Sequence, residues 1–186
     1  MRARAIIAVA AGLWLAAMAR DATDAWIDAT ELPPLQLATS AEVVDRNGDL
    51  LRAYTVGNGR WRLAVTPDQV DPDYVAALLA YEDKRFYDHA GVDLLALARA
   101  AGQAAWNGHI VSGGSTLTMQ VARLLEESGT GHVSGKLRQM RVALALERHL
   151  TKAEILHLYL LLAPFGGNLE GIRAATLSYY GKEPLR

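Results

Sequence analysis

The chain has 186 residues, 51 % of them hydrophobic, with a formal net charge of −1 and no cysteine. This length allows one domain with a substantial core, and the lack of cysteine excludes disulfides, thiolate catalysis and cysteine-based zinc sites. The near-neutral charge and the scattered aromatic residues argue against nucleic-acid binding, so any anion site must be built from local groups.

A run of fifteen uncharged, mostly apolar residues, Ala5 to Ala19, follows Arg2 and Arg4 at the N-terminus. At about 1.5 Å per residue it is shorter than the ~30 Å hydrocarbon core of a bilayer. One interpretation is a secretory signal peptide, with the small residues Ala17 and Ala19 at its cleavage site. The other is an uncleaved anchor, since flanking arginines can reach the interface. Both place the rest of the chain outside the cytoplasm, and we expect a single-pass inner-membrane protein with a periplasmic domain.

Residues 21–41 include Pro33-Pro34, show no periodicity and are predicted to form a linker. Beyond them, apolar runs lie on both sides of Asn47-Gly48, a dipeptide typical of a tight β-hairpin turn. The chain is therefore divided into a membrane anchor or signal segment at 1–20, the linker, and one domain over 42–186.

The rest of the domain is predicted to be helical. Asp71 caps a first helix that starts at Pro72, and Gly91 is a plausible stop for it. Further helices are predicted at 94–106, 116–125, 136–150, from 152 to just before Pro164, and at 169–180. The helix over 136–150 is expected to bury four residues: Leu137, Met140, Ala143 and Leu144. The predicted fold class is a mainly α domain with a small N-terminal β hairpin.

One stretch in the middle of the chain carries side chains that a plain scaffold has little reason to contain. Glu82, Arg85, Phe86 and His89 have the spacing of one helix face. That face would hold a carboxylate, a guanidinium, a ring and an imidazole, which is typical of neither a core stripe nor a solvated one.

A second stretch, the Gly-Gly-Ser-Thr turn at 113–116, runs straight into a helix and leaves backbone N–H groups free. Each feature has an ordinary interpretation when taken alone. A helical glutamate is usually a solvated charge, and a histidine near a helix end is usually a cap or a packed ring. The combination of the two stretches favours a site.

Together, the patterns Glu-Asp-x-x-Phe-x-x-His-x-Gly and Gly-Gly-Ser-Thr-x-Thr-x-Gln resemble the peptidoglycan glycosyltransferase family, the polymerase module of class A penicillin-binding proteins. Weaker signatures follow in the family's order at 146–160 and 171–182, and the stretches 119–123 and 163–167 are most similar to the 1C branch. The resemblance covers 42–186 and implies a lysozyme-like α fold.

The resemblance implies an enzyme that polymerises lipid II: the acceptor's 4-hydroxyl attacks C1 of the donor, and undecaprenyl diphosphate leaves with inversion. Such chemistry needs a base at the hydroxyl and positive charge at the diphosphate. By resemblance Glu82 is the catalytic base. Four residues are implied to support the site: Asp83, Phe86, His89 and Gln139. Eight are implied to bind the substrate: Arg99, Ser115, Thr116, Thr118, Gln120, Arg123, Lys136 and Arg138.

The sequence departs from the family pattern in three places. Gln139 stands where the third motif, Arg-Lys-x-x-Glu, has its carboxylate, and Leu161 stands where Tyr-Leu-Asn has its amide. The chain also stops at Arg186, before the last helices of the family's domain and before any transpeptidase domain. An amide is a poor ligand for a hard cation. We therefore predict no metal-ligand set and no certain cofactor, with any binding of Mg²⁺ or Mn²⁺ weakened by Gln139.

Three functions remain open at this point. The leading one is a membrane-anchored polymerase that acts on lipid II and the nascent glycan strand and meets other cell-wall synthesis proteins. The second is a degenerate, non-catalytic module that binds lipid II or such partners. The third is a muramidase-like hydrolase, disfavoured because no convincing second carboxylate accompanies Glu82.

Overall fold

The structure is a computed structural model that describes residues 2–109, 113–126 and 133–185. Its regular elements in chain order are α1 (Arg2–Asp28), β1 (Glu42–Val44), β2 (Leu50–Ala53), β3 (Trp61–Arg62), α2 (Pro72–Glu82), α3 (Leu94–Asn107), α4 (Leu117–Glu126), α5 (Val133–His149), α6 (Lys152–Leu162), β4 (Leu169–Glu170) and α7 (Ile172–Tyr180). The predicted mainly α class with a small hairpin is confirmed. The chain forms two compact units that divide after Glu31.

The first unit is the helix α1. Its stretch Ala3–Asp28 is long and apolar enough to cross a membrane, and the most apolar part of it is not buried against protein. At 1.5 Å per residue, 26 residues span about 39 Å. A secretory signal segment passes the same test, so α1 is compatible with both interpretations of the N-terminal run. Because α1 continues past Ala19 to Asp28, residues 21–28 of the predicted linker are helical.

The core of the second unit lies where α4, α5 and α6 meet. Each of these helices contributes side chains that are fully buried, among them Leu117, Leu146 and Ile155. Burial of one such side chain stabilises the fold by about 1.5–3 kcal/mol. Leu32 and Leu35 pack against the same cluster, so the second half of the predicted linker belongs to this unit.

Helix α2 starts as predicted and ends earlier. Pro72 is its first residue, and the Asp71 carboxylate accepts a hydrogen bond from a backbone N–H of the first turn at 2.8 Å. Its last residue is Glu82, because Asp83 (φ −158°, ψ 78°) leaves the helical conformation. A short 3-10 helix, Phe86–Asp88, follows. The four side chains predicted to share one helix face, from Glu82 to His89, thus lie on different elements, and that prediction is wrong.

Helix α5 buries a different face from the one predicted. Leu137 is 56 % exposed, whereas Gln139, Val142, Ala143 and Leu146 are buried. These four positions have the spacing of one helix face. The prediction is right for Ala143 and wrong for Leu137. It fails because the buried face includes the polar residue Gln139, which a prediction based on apolar residues does not place in the core.

Strands β1 and β2 pair in antiparallel fashion around the predicted Asn47-Gly48 turn, where Gly48 has φ 88°. A glycine adopts this left-handed conformation without steric strain. Thr151 and Glu154 form the predicted capping box at the start of α6, with Thr151 Oγ1 accepting from the Glu154 N–H.

Residues Leu169–Glu170 form strand β4, although they are predicted to start the last helix. β4 pairs in parallel with β3, and Arg62 lies opposite Glu170. The buried Glu170 carboxylate accepts hydrogen bonds from the Arg62 guanidinium at 2.6 and 2.9 Å, which fixes the segment as a strand. Gly171, with φ 81°, then turns the chain into α7. Glycine is required at this position because the Cβ atom of any other residue would lie 2.7 Å from the Leu161 carbonyl oxygen.

Candidate active site

Glu82 lies at the C-terminal end of α2 and lines a cleft of about 570 Å³. Gln120 of α4 donates a hydrogen bond from Nε2 to Glu82 Oε2 at 2.8 Å. In the described part of the chain, no other side chain or backbone group bonds to the Glu82 carboxylate. Oε2 is thus fixed in orientation, and Oε1 has no protein donor among the described residues.

Asp83, the next residue, also lines the cleft but is only 7 % exposed. Its carboxylate accepts from the Leu117 N–H at 2.8 Å and from His89 Nε2 at 3.0 Å. The other ring nitrogen of His89 accepts from the Gly91 N–H at 3.2 Å. Since Nδ1 is an acceptor here, Nε2 carries the proton that bonds to Asp83. Asp83 and His89 therefore hold the turn after Glu82 against the start of α4.

The two threonines of the second motif are buried and join elements together. Thr116 Oγ1 donates to the Gly91 carbonyl at 2.6 Å, and Thr118 Oγ1 donates to Glu147 Oε1 at 2.6 Å. Thr116 reaches the edge of the large cleft, whereas Thr118 lines neither pocket of the site. The geometry thus gives Thr118 a place in packing, away from the predicted contact with substrate.

A smaller pocket of about 200 Å³ adjoins the cleft and shares Ser115 with it. Arg123 and Lys136 line this pocket, and Lys136 Nζ donates a hydrogen bond to Ser115 Oγ. Burial, and secondly the charge of Arg123, lower the pKa of Lys136. Within the described ranges neither cation pairs with a carboxylate. Two neighbouring cations without a counter-charge are a favourable setting for an anion.

Gln139 forms part of the same pocket and is only 3 % exposed. Among the residues that the structure describes, its Nε2 has no hydrogen-bond partner. Leaving a buried donor unpaired costs about 1–3 kcal/mol, and such groups are rare enough to need an explanation. A ligand with acceptor oxygens would satisfy this group.

Two tyrosines that were not predicted to belong to the site lie near Glu82. Burial and then the Glu82 charge raise the pKa of Tyr159, to about 12, and of Tyr74. Both therefore stay neutral phenols at physiological pH. They belong to helices α6 and α2 and pack in the main core, so a search for charged residues passes over them.

The predicted substrate residues separate into three places. Arg99 lines the large cleft with Glu82, whereas Arg123 and Lys136 line the small pocket. Arg138 lines neither, because its guanidinium pairs with Glu126 at 2.8 Å. The geometry therefore does not support its predicted contact with substrate.

Three further residues of the first motif have defined places in the structure. Phe86, predicted to support the base, is 1 % exposed and packs in the core. Lys84 and Arg85 line the cleft beside Glu82, and neither was assigned a role, although Arg85 belongs to the stretch that favoured a site. Arg85 also bonds to Asp93 at 3.2 Å. Their adjacency to Glu82 in the sequence was the signal that could have found them.

The family model described as Transglycosylase matches residues 47–186. Penicillin-binding protein 1C of Escherichia coli (strain K12) is 48 % identical over 153 residues, which are 82 % of this chain and 20 % of that protein. Penicillin-binding protein 1A of the same strain is 38 % identical over 155 residues, covering 83 % and 18 %. Penicillin-binding protein 1F of Bacillus subtilis (strain 168) is 34 % identical over 149 residues, covering 80 % and 20 %.

The chain spans about a fifth of the length of the curated relatives that it matches. Within that span the family model begins in the predicted hairpin turn. It includes both motifs, the cleft, the small pocket and all helices from α2 to α7. The resemblance inferred from the two motifs is confirmed, and with it the lysozyme-like fold. The chain belongs to the transglycosylase family of the penicillin-binding proteins.

Proposed function

We propose that the chain is a peptidoglycan glycosyltransferase that polymerises lipid II into glycan strands and releases undecaprenyl diphosphate. The observation that carries the proposal is the placement of Glu82 in the lining of the cleft, with one carboxylate oxygen held by Gln120 and no donor to the other among the described residues. A cationic pocket that contains Arg123 and Lys136 adjoins this cleft. Membership of the transglycosylase family gives independent support.

In this reaction the 4-hydroxyl of the acceptor sugar attacks C1 of the donor. The bond from O4 to C1 forms while the bond from C1 to the diphosphate oxygen breaks, and the electron pair leaves with the diphosphate. Attack from the opposite face inverts C1. Glu82 Oε1 takes the hydroxyl proton, because Oε2 already accepts from Gln120. An oriented carboxylate of this kind typically contributes 10²–10⁴-fold to the rate, in order of magnitude.

The departing diphosphate gains negative charge that the protein must offset. Arg123 and Lys136 supply two positive charges in the small pocket, and Arg99 supplies one in the cleft. The planar guanidinium fork of arginine matches phosphate oxygens and remains charged at all relevant pH values. Charge placed in advance where it develops in the transition state lowers the barrier.

The residues of the small pocket do not fit a divalent cation. Mg²⁺ and Mn²⁺ prefer carboxylate oxygens, and Gln139 occupies the position where the family pattern has glutamate. The pocket lining offers a hydroxyl, two amides, a thioether and two cations. No cluster of three or more acidic or histidine ligands occurs in the portion of the chain that the structure describes. In this proposal, side-chain cations therefore neutralise the negative charge of the departing diphosphate.

The proposal places the domain on the periplasmic side of the inner membrane, with α1 as its single-pass anchor. Helix α1 has the length and the apolar composition for a span, and Arg2 and Arg4 precede its apolar part. The partners in this setting are lipid II, the nascent glycan strand and other proteins of cell-wall synthesis.

The test is to give the purified full chain labelled lipid II and, separately, mature peptidoglycan, and to separate the products by size. The proposal expects polymeric glycan from lipid II and no fragments from peptidoglycan. Binding of lipid II without polymer would overturn it in favour of a non-catalytic module. Release of soluble fragments from peptidoglycan would overturn it in favour of a hydrolase.

A further inference from the structure

Lys152, the first residue of α6, is mostly buried and lines neither pocket of the site. Its ammonium donates to the backbone carbonyl of His89 and to Glu147 Oε1, both at 2.6 Å. It also lies over the ring of Phe86, 4.6 Å from the centroid. One side chain thus joins the turn after α2 to helices α5 and α6.

The ion pair between Lys152 and Glu147 is costly to build. Their side chains are 21 % and 7 % exposed, and removing two charges from water can cost more than their attraction returns. A buried ion pair is therefore weak evidence that the pair is there to stabilise the fold. The pair does, however, hold together groups on separate elements: the turn that contains His89, helix α4 through Thr118, and helices α5 and α6.

The contacts of Lys152 with His89 and with Glu147 each lead, through further hydrogen bonds, to Glu82. On one side, Lys152 fixes the carbonyl of His89, whose ring bonds to Asp83, the residue that follows Glu82. On the other side, Glu147 accepts from Thr118, and Thr118 lies two residues before Gln120 on α4. Gln120 closes the ring of contacts by donating to the Glu82 carboxylate.

We propose that Lys152 is a positioning residue for the glycosyl transfer site, which acts with Glu147 to hold the Glu82 carboxylate against Gln120. The inference rests on the proposed function of Glu82 as the base. Loss of Lys152 frees the turn after α2, and loss of Glu147 frees the anchored face of α4. A displacement of about 1 Å between reacting groups can cost roughly 100-fold in rate.

The experiment compares Lys152→Met with the double variant Lys152→Met/Glu147→Leu. The single variant leaves the buried Glu147 carboxylate without its counter-charge, with only the Thr118 hydrogen bond remaining, and should lower the melting temperature. The double variant removes both charges and should recover that temperature. We expect kcat to stay roughly 100-fold low in both, with KM for lipid II changed less than about threefold, because Arg99, Arg123 and Lys136 are untouched. Recovery of kcat together with the melting temperature would overturn the inference.

Arg173→Met is the matched control, since Arg173 pairs with Glu42 and Glu183 in a partly buried network away from both pockets. It should lower the melting temperature and leave kcat unchanged. A nuclear magnetic resonance measurement on glutamine-labelled protein tests the geometry independently of activity. In the double variant, the Gln120 side-chain amide signals should move toward those of a solvated amide, and in Arg173→Met they should not. An unmoved signal in the double variant refutes the positioning role even if the wild type forms no polymer, an outcome that would refute the proposed function separately.

Discussion

Replacement of Gln139 by leucine should raise stability and lower activity at the same time. The side chain is 3 % exposed and its Nε2 has no partner in the described part of the chain, so the free protein bears a penalty of about 1–3 kcal/mol for an unpaired buried donor. Leucine has a similar volume and removes the donor. After a smaller loss for imperfect fit, we expect a net gain on the order of 1 kcal/mol. In a domain of this size that raises the melting temperature by roughly 2–4 °C.

The same change should weaken the interaction with substrate. A hydrogen bond to a charged group contributes about 1.5–3 kcal/mol, which corresponds to a loss of roughly ten- to hundredfold in kcat/KM. Thermal unfolding and initial polymerisation rates on one preparation measure both effects. Gln36→Leu is the control, because Gln36 is exposed and outside the site. A Gln139→Leu protein that melts lower and polymerises at the wild-type rate would refute the reasoning.

Three further predictions concern the metal, the pH profile and the N-terminus. A chelator should leave wild-type polymerisation nearly intact. The Gln139→Glu change should make polymerisation metal-dependent, since a carboxylate is a good ligand for a hard cation. Complete loss of wild-type activity on chelation, reversed by Mg²⁺, would contradict this prediction. Because burial and the charge of Arg123 lower the pKa of Lys136, affinity for lipid II should be full below that pKa and fall as pH rises through it. Lys136→Arg should remove the fall, and an identical alkaline limb in both proteins would count against the anion pocket. Mass spectrometry of the membrane-bound protein should find α1 retained, and a mature chain that starts at Arg20 would show a cleaved signal segment instead.

Local chemistry explains the parts of the fold that the sequence predicts well. Three features depend only on residues within four positions of one another: the caps at Asp71 and Thr151 and the turn at Gly48. Such local patterns can be recognised from the sequence alone. The two motifs likewise predict that Glu82 and Gln120 share a site, and the structure joins them by a hydrogen bond.

Long-range pairs explain the parts that the sequence misses. Strand β4 exists because Glu170 meets Arg62, and α2 ends early because Asp83 meets the start of α4. Neither partner is visible in the local pattern. Lys152 lies within the weak signature at 146–160, and its role is not visible there because two of its three contacts, with His89 and Phe86, are distant in sequence. Burial of the polar Gln139 also contradicts any pattern based on hydrophobicity.

The most direct measurement of the central claim is the initial rate of lipid II polymerisation by Glu82→Gln. The amide keeps the shape of the side chain and cannot take the proton from the acceptor hydroxyl. Glu31→Gln, the same change at an exposed position, is the control and should be fully active. The account predicts a rate lower by roughly 10²–10⁴-fold in Glu82→Gln at an unchanged melting temperature. A rate within a factor of about two of wild type, from a protein that is folded as well as the control, would contradict the assignment of Glu82 as the base.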